Sequence, residues 1–291
     1  MKTVVTHSGS FHADDVFSIA AFQLLFGKDV KVVRTRDEEV IAQADYVVDV
    51  GGVYDPKNNR YDHHQVNAPV RENGIPYSGF GLVWREYGVE VCKSEVVATA
   101  IEKSLVQAVD AGDNGINLYD LRNKETAPYE LYQVVGSFAP VWGSTESKDE
   151  AFLEAVEFAR GLLSRIIGQK QSEQKMLELV KDVYESAPDK RVLVFDVPVT
   201  STACIQYPEV LLSVCPDDTT ANSNWVATAV RKEYGTFENR INFPEAWGGL
   251  RNEELARVSG IEDAVFCHKA RFCFVTGSKE GVLKGVEETL G

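Results

Sequence analysis

Cysteine is sparse and scattered. The five cysteines, Cys92, Cys204, Cys215, Cys267 and Cys273, are odd in number and form no CxxC pair. That spacing argues against a disulfide framework and a thiolate zinc site, and it fits a reducing, cytoplasmic setting. Long apolar runs are missing too. No stretch approaches the roughly 18 residues that would mark a membrane span, so none is expected. The opening Met1–His7 turns polar too soon for a signal peptide and reads as a short strand. Basic charge is in deficit: 30 Lys and Arg stand against 44 Asp and Glu, for a net charge of −14. A chain without a basic face is a poor non-specific binder of long duplex nucleic acid. It can still hold phosphates through metal ions and a few local cations.

Histidine is scarce as well, but its placement is uneven. Of five histidines, four fall within the first 64 residues: His7, His12, His63 and His64. Asp14, Asp15, Asp49 and Asp62 lie among them. Imidazole and carboxylate form the donor set for borderline divalent cations such as Mn²⁺ and Zn²⁺. The 291 residues, 44% hydrophobic and 25% charged, are enough for one large globular domain or two of ordinary size.

The local pattern places these residues. Lys2–Thr6 reads as a β-branched strand ending at His7, and Ser8-Gly9-Ser10 as a turn. From Val16 the apolar positions recur at three- and four-residue spacing up to Gly27, which defines a helix. His7–Asp15 is then a strand-to-helix loop, where open α/β sheets hold ligands. Asp14 and Asp15 suit the helix N-terminus, where one of them can serve only as a cap. Val30–Thr35 reads as a second strand, Glu38–Ala44 as a short helix and Tyr46–Asp49 as a third strand. Alternation of this kind predicts a parallel sheet, with His7 and Asp49 on one edge. Tyr61-Asp62-His63-His64 returns from a turn at Asp55–Asn59. On a strand the paired imidazoles would diverge, and on a loop they can converge. A division of roles then follows, one for metal and one for substrate, with Asp62 orienting a ring.

Phe80–Gly88 reads as a short helix ended by glycine, and Ser94 caps a longer one with Val97, Ile101, Leu105 and Ala108 on its inner face. That helix breaks down in Asp110-Ala111-Gly112-Asp113-Asn114-Gly115. Both aspartates are candidates for a last metal ligand, although turns favour Asp and Asn in any case. From about Asp149 to Ala187 the chain is one long helical pattern with a polar interruption at Gln169–Gln174. The last third changes to short strands at Arg191–Phe195, Val210–Cys215, Trp225–Val230 and Val265–Val275, with helices at Leu250–Val258 and Lys279–Leu290. The expected organisation is an α/β domain over 1–148, a helical connector over 149–188 and a smaller α+β domain with a mostly antiparallel sheet over 189–291. His268, Lys269 and Arg271 lie close together in it, and arginines near Gly248-Gly249, such as Arg251, are its better candidates for oxyanion recognition.

The ordered set His7, His12-Ala13-Asp14-Asp15, Asp49, Asp62-His63-His64 and a later Asp resembles the DHH phosphoesterase superfamily. With Val48–Gly52, Asp55–His64, Asp110–Gly115 and Trp247–Ile261, the chain resembles more closely the Myg (melanocyte proliferating gene) family. That resemblance implies one metal held by His7, His12 and Asp49. It implies a second held by Asp14, Asp49, His63 and Asp110, with Asp113 competing for the last position. His64 would contact substrate phosphate. Two divalent cations are implied, Mn²⁺ first, with Mg²⁺ or Zn²⁺ as alternatives. The activity implied is a 3′–5′ exonuclease acting on RNA or short single-stranded oligonucleotides by two-metal hydrolysis, with Arg251, His268 and Arg271 clamping substrate. A phosphatase or pyrophosphatase on the same centre, and a metal-stabilised binding protein without activity, are the rival expectations. A homodimer is admitted but not required.

Overall fold

The structure is a computed structural model; it describes residues 1–27, 29–123, 125–217 and 224–291. The chain divides into two compact units, Met1–Ser172 and Glu173–Gly291.

The first unit is built on a five-stranded sheet. Its elements are β1 (Lys2–Thr6), α1 (Ala13–Phe26), β2 (Val30–Arg34), α2 (Glu38–Gln43), β3 (Tyr46–Val48), β4 (Tyr54–Asp55) and β5 (Arg60–Tyr61), followed by α3 (Gly79–Cys92), α4 (Glu95–Ile101), α5 (Gln107–Asp113), α6 (Leu131–Gly136) and the start of α7 (Lys148–Ser186). The strand order is β2-β1-β3-β5-β4. β1 pairs in parallel with β2 and β3, and β3 with β5, while β4 is antiparallel to β5. The α/β reading of the sequence is borne out. Strand alternation divides the side chains between two faces. Val4, Tyr46 and Val48 face the main core with Phe17, Phe22 and Phe80, whereas Val5 and Val47 pack with Ala44 and Val50 under α2.

Two helical readings need correction. The helix beginning near Phe80 does not stop at Gly88; α3 continues to Cys92 and ends at Lys93, φ 54°. Gly88 is there for space, because a Cβ would fall 2.8 Å from Trp84 Nε1. The second concerns the inner face expected as Val97, Ile101, Leu105 and Ala108. Between α4 and α5 the residues Glu102–Val106 form a π-helical turn. The turn holds one residue more than an α turn, so the buried face shifts. Val106 and Val109 are buried and Ala108 is exposed.

The long helix expected near 149–187 is α7, 39 residues in length. Its first part, with Phe152, Val156, Ala159 and Leu163, packs into the core of the first unit. Its last part, with Met176, Leu177, Val180 and Val183, packs into the second. The change of partner falls within the polar interruption at Gln169–Gln174.

The second unit adds β6 (Val192–Val194), β7 (Leu212–Pro216), β8 (Trp225–Ala229), α8 (Asn252–Ser259), β9 (Ala264–Cys267), β10 (Cys273–Thr276) and α9 (Lys279–Leu290). The order is β6-β7-β8-β10-β9, with only β6 and β7 parallel. Leu255, Val282 and Val286 of α8 and α9 cover one face with Leu212, Ala227 and Phe274. Among the described residues no helix is long and apolar enough to cross a membrane.

Candidate metal centre

Four parallel strands end on one edge of the first sheet, and each delivers chemistry there. β1 runs into His7, β2 runs on to Arg36, β3 into Asp49, and β5 into Asp62-His63-His64. Ligand sites belong at the carboxyl ends of such strands. Asp49 takes a φ of 56°, and Gly51 and Gly52 follow at 95° and 70°. The left-handed region is uncommon for side-chain-bearing residues and is tolerated best by Asp and Asn. This turn leaves the Asp49 carboxylate between two histidines: Oδ2 lies 3.2 Å from His7 Nε2, and Oδ1 lies 3.3 Å from His63 Nε2.

The start of α1 supplies the next donors. His12 is the N-cap, and its backbone N–H donates to Asp15 Oδ1 at 2.9 Å. The other Asp15 oxygen lies 3.3 Å from His7 Nε2. Asp15 therefore caps the helix and also faces the cluster. Asp14 Oδ2 accepts from the backbone N–H of Gly79 at 3.1 Å and lies 3.8 Å from His63 Nε2. Asp113, at the end of α5, closes the group with Oδ2 at 3.3 Å from His63 Nε2.

Among the described residues three donor groups result, each with ligand atoms within 4.8 Å of one another: His7, His12 and Asp49; Asp49, His63 and His64; and His12, Asp14 and Asp113. Among the described residues, Asp14 Oδ1, Asp15 Oδ2 and Asp49 Oδ1 are buried without a hydrogen-bond partner. Such atoms are costly unless something compensates them, and a cation does so. The mixed nitrogen and oxygen donors suit Mn²⁺, Zn²⁺ or a similar ion. The residues fit a divalent metal.

The electrostatics agree. Burial, then the charges of Asp49, Asp113 and Asp15, push the Asp14 carboxyl well above its ordinary range. Burial also raises Asp15, to about 7, against the pull of His7. Burial acts the same way on Asp49, but the contacts with His63 and His7 outweigh it and hold that carboxyl below its usual value. At His7 and His63 burial lowers the pKa, but Asp49, with Asp15 beside His7 and with Asp113 and Asp62 beside His63, more than restores it, so both are raised. The cluster thus retains protons that a bound cation would displace.

Asp110 does not join it. This residue is fully buried, and its carboxylate is committed elsewhere. Oδ1 accepts from Ser78 Oγ at 2.5 Å and from Gly81 N–H at 3.0 Å, and Oδ2 accepts from Arg71 at 2.6 Å. Of the two aspartates left open as the last ligand, Asp113 reaches the donors. Asp110 instead ties α5 to the start of α3.

The comparisons with known proteins follow the same direction. The profile described as "Uncharacterised protein family (UPF0160)", named for the MYG1 exonuclease, matches residues 3–290. The human protein called MYG1 exonuclease is 30% identical over 98% of this chain and 85% of its own length. A Caenorhabditis elegans MYG1 protein is 30% identical over 98% of this chain and 94% of its own. This chain belongs to the MYG1 exonuclease family. A Chlamydia pneumoniae MYG1 protein is 29% identical over 99% of this chain and 97% of its own. A solved pGpG-specific phosphodiesterase from Vibrio aligns over 99% of this chain and 96% of its own at 14% identity, with a TM-score of 0.30, too low to carry an argument. Membership of the MYG1 family agrees with the hydrolytic class expected from the sequence.

Within this MYG1-family chain, the remaining candidates lie in the second unit. Arg251 is the N-cap of α8, its guanidinium 4.3 Å from the centre of the Phe266 ring. It lines a cavity of about 720 Å³ with Phe266, Asn224 and Thr228. His268 Nδ1 accepts the Ala270 N–H, and its ring lies 4.4 Å from that of Phe272. Arg271 closes the same turn at φ 58°, donating its N–H to His268 O at 2.7 Å.

In the first unit, His64 is held by Asp62. Asp62 Oδ1 lies 2.7 Å from His64 Nδ1 and accepts the His64 N–H, while Oδ2 accepts from Gly52 N–H. The side chain of His64 is 63% exposed, in contrast to 9% for His63. A cavity of about 280 Å³ opens over His7, His12, Asp49, Asp62 and His64, and Arg36 lines it too. Sequence reasoning missed Arg36 and the Gly79 N–H, and left Asp15 open between a helix cap and the cluster. The signal for Arg36 was its position just past a strand on the predicted parallel edge. The signal for Gly79 was a helix beginning Gly79-Phe80-Gly81, with two poor helix formers in one turn. A Cβ at Gly79 would lie 3.1 Å from Asp14 Oδ2, and one at Gly81 would overlap Asp110 at 1.9 Å.

Proposed function

We propose that this chain is a divalent-metal-dependent phosphoesterase, acting as a 3′–5′ exonuclease on RNA or short single-stranded oligonucleotides by two-metal hydrolysis. The observation that carries the reading is Asp49, whose two oxygens face separate donor sets through His7 and His63. A carboxylate so placed would serve two cations at once. His7, His12 and Asp49 would hold one, and Asp14, Asp49, His63 and Asp113 the other, with Mn²⁺ favoured by the donors. Cations held there would supply a lowered water pKa and charge compensation for the phosphoryl oxygens.

The chain's own residues do the rest. Asp62 fixes the His64 ring through Nδ1, which directs Nε2 away from that contact. When protonated, Nε2 donates to a phosphoryl or leaving oxygen. Arg36 supplies a guanidinium at the same cavity for a non-bridging oxygen. Arg251, His268 and Arg271 keep the substrate role that the family resemblance implies. The acidic surface favours short, single-stranded substrates over long duplexes, and the setting we assign is cytoplasmic.

A second reading rests on the modest cavity over His7, Asp49 and His64, about 280 Å³. Such a volume suits a phosphate-sized group, so a small-molecule phosphatase or pyrophosphatase is the alternative. End-labelled single-stranded RNA, dinucleotides and pyrophosphate, each incubated with Mn²⁺ and with chelator, separate the two. Stepwise release of mononucleotides from the 3′ end is expected. Intact RNA beside hydrolysed pyrophosphate would remove the exonuclease reading. No turnover of any substrate by metal-loaded protein would leave a binding protein.

A further inference from the structure

We infer that Arg34 is a positioning residue of the candidate metal centre: it fixes the loop between His7 and His12, so that His12 can share a cation with His7 and Asp49. The inference rests on the metal reading above and concerns how one ligand of that site is held. Arg34 ends β2 opposite Thr6 in the register, one residue before His7. Its side chain is only 3% exposed. A guanidinium is seldom buried unless paired, and the partners of this one identify its task. Nη2 donates to Gly9 O at 2.9 Å. Nη1 donates to Lys148 O at 3.2 Å and to Asp149 Oδ1 at 2.7 Å, both at the start of α7. The guanidinium carbon lies 4.5 Å from the centre of the Phe152 ring and 5.6 Å from that of Phe11, the residue before His12. Those two rings pack edge to face.

The loop has few other restraints. Among the described residues, the bond to Gly9 O is the one hydrogen bond that reaches the backbone of residues 8–11 from another element. Gly9 sits at φ 99°, a conformation open to glycine and costly in chain freedom. His7 and Asp49 follow directly on paired strands, so the sheet places them. His12 is exposed and stands at the N-cap of α1, held by the helix on one side and by the loop on the other. Its ligand atom must still come within 4.8 Å of those of His7 and Asp49. Groups that orient a metal ligand from behind typically account for about 10- to 100-fold in metal affinity. Arginine suits this task because its planar fork reaches Gly9 with one nitrogen and α7 with the other, whereas a lysine ammonium is a point donor.

The test is calorimetric titration of the full chain with Mn²⁺, in wild type, Arg34→Met, Arg34→Lys and Asp149→Ala. Wild type is expected to take two ions. Arg34→Met should weaken one of them about 100-fold and leave the other near its wild-type affinity. Arg34→Lys keeps the buried charge, which guards against simple misfolding, but cannot span both ends; it should weaken the same ion about 10-fold. Asp149→Ala removes the α7 carboxylate, leaves the Gly9 bond and should change neither ion. Hydrogen exchange in chelator reads the loop without metal. Residues 8–12 should exchange faster in Arg34→Met than in wild type or Asp149→Ala. Normal binding of both ions by both Arg34 variants would show that α1 alone places His12, and would overturn the inference. So would an equal loss at both sites, or the same loss in Asp149→Ala, since either marks a general anchor of α7. If wild type itself does not take two ions, the two-metal reading falls and exchange alone decides. Faster exchange confined to the loop then sustains the role of Arg34, and unchanged exchange removes it.

Discussion

Asp110 and Asp14 are both fully buried in the first unit. Around Asp110 the donors are complete: Arg71, Ser78 and the Gly81 N–H share its two oxygens, and Arg71 is itself paired with Glu102 at 2.6 Å. Around Asp14 they are not. One oxygen takes the Gly79 N–H and the other has no hydrogen-bond donor among the described residues, with Asp15, Asp49 and Asp113 crowding nearby. Burial raises both carboxyls, Asp110 only to about 6 because Ser78 and Arg71 oppose it, and Asp14 well beyond its range because its neighbours are anions. A buried acid whose donors are complete stabilises the fold. A buried acid left short of donors stores repulsion that a ligand can relieve.

The largest effect is expected at the shared ligand. Asp49→Ala should lose bound metal to background and activity by on the order of 10³-fold, read by elemental analysis and turnover; unchanged metal stoichiometry would remove its bridging role. Asp110→Asn should destabilise the protein by about 3–5 kcal/mol, because Arg71 is left buried with a broken pair. Denaturant unfolding in chelator measures it. Asp14→Asn should do the reverse in the same assay, stabilising the metal-free protein by about 1–2 kcal/mol while lowering metal affinity. If both variants lose stability alike, the distinction between the two acids is wrong.

Smaller effects follow from pH and from the second unit. Asp15 keeps its proton to about pH 7 when folded, against an ordinary value of 3.8. Between those values the folded state holds more protons than the unfolded one, so metal-free stability falls as pH rises from about 4 to about 7. His7 and His63, both raised above 6.5, push the same way at the upper end. Mn²⁺ competes with these protons, so its stabilisation should grow across the window. Melting temperatures at about pH 5 and 7.5, with and without Mn²⁺, test the sign. Arg251→Ala should raise KM about 10-fold with metal content intact; normal kinetics would take Arg251 out of the substrate site.

Much of this was legible in the residues. The strand ending at His7, the helix opening at Ala13 and the strand ending at Asp49 follow from β-branched runs and 3.6-residue spacing. The parallel edge follows from their alternation. The second sheet was readable from its short strands. What escaped needed three dimensions. Arg36 is a lone exposed cation until parallel pairing sets it beside His7. Asp15 looked like a cap, and it is one, with its second oxygen free for the cluster. Asp110 and Asp113 share a helix end, and periodicity placed the wrong residue, Ala108, on its inner face.

The cause of that last error is the π turn at Glu102–Val106. One added residue advances everything downstream by roughly 100° about the helix axis. With the turn, Asp110 points to Arg71 and Asp113 to His63. Deleting a single residue within 102–106 would leave length and composition nearly unchanged, yet it would turn both carboxylates away from their partners together. The turn is therefore a phase setting for α5. Lys103 and Ser104 are exposed, so substitutions there are expected to disturb the site far less than any change in how many residues the stretch contains.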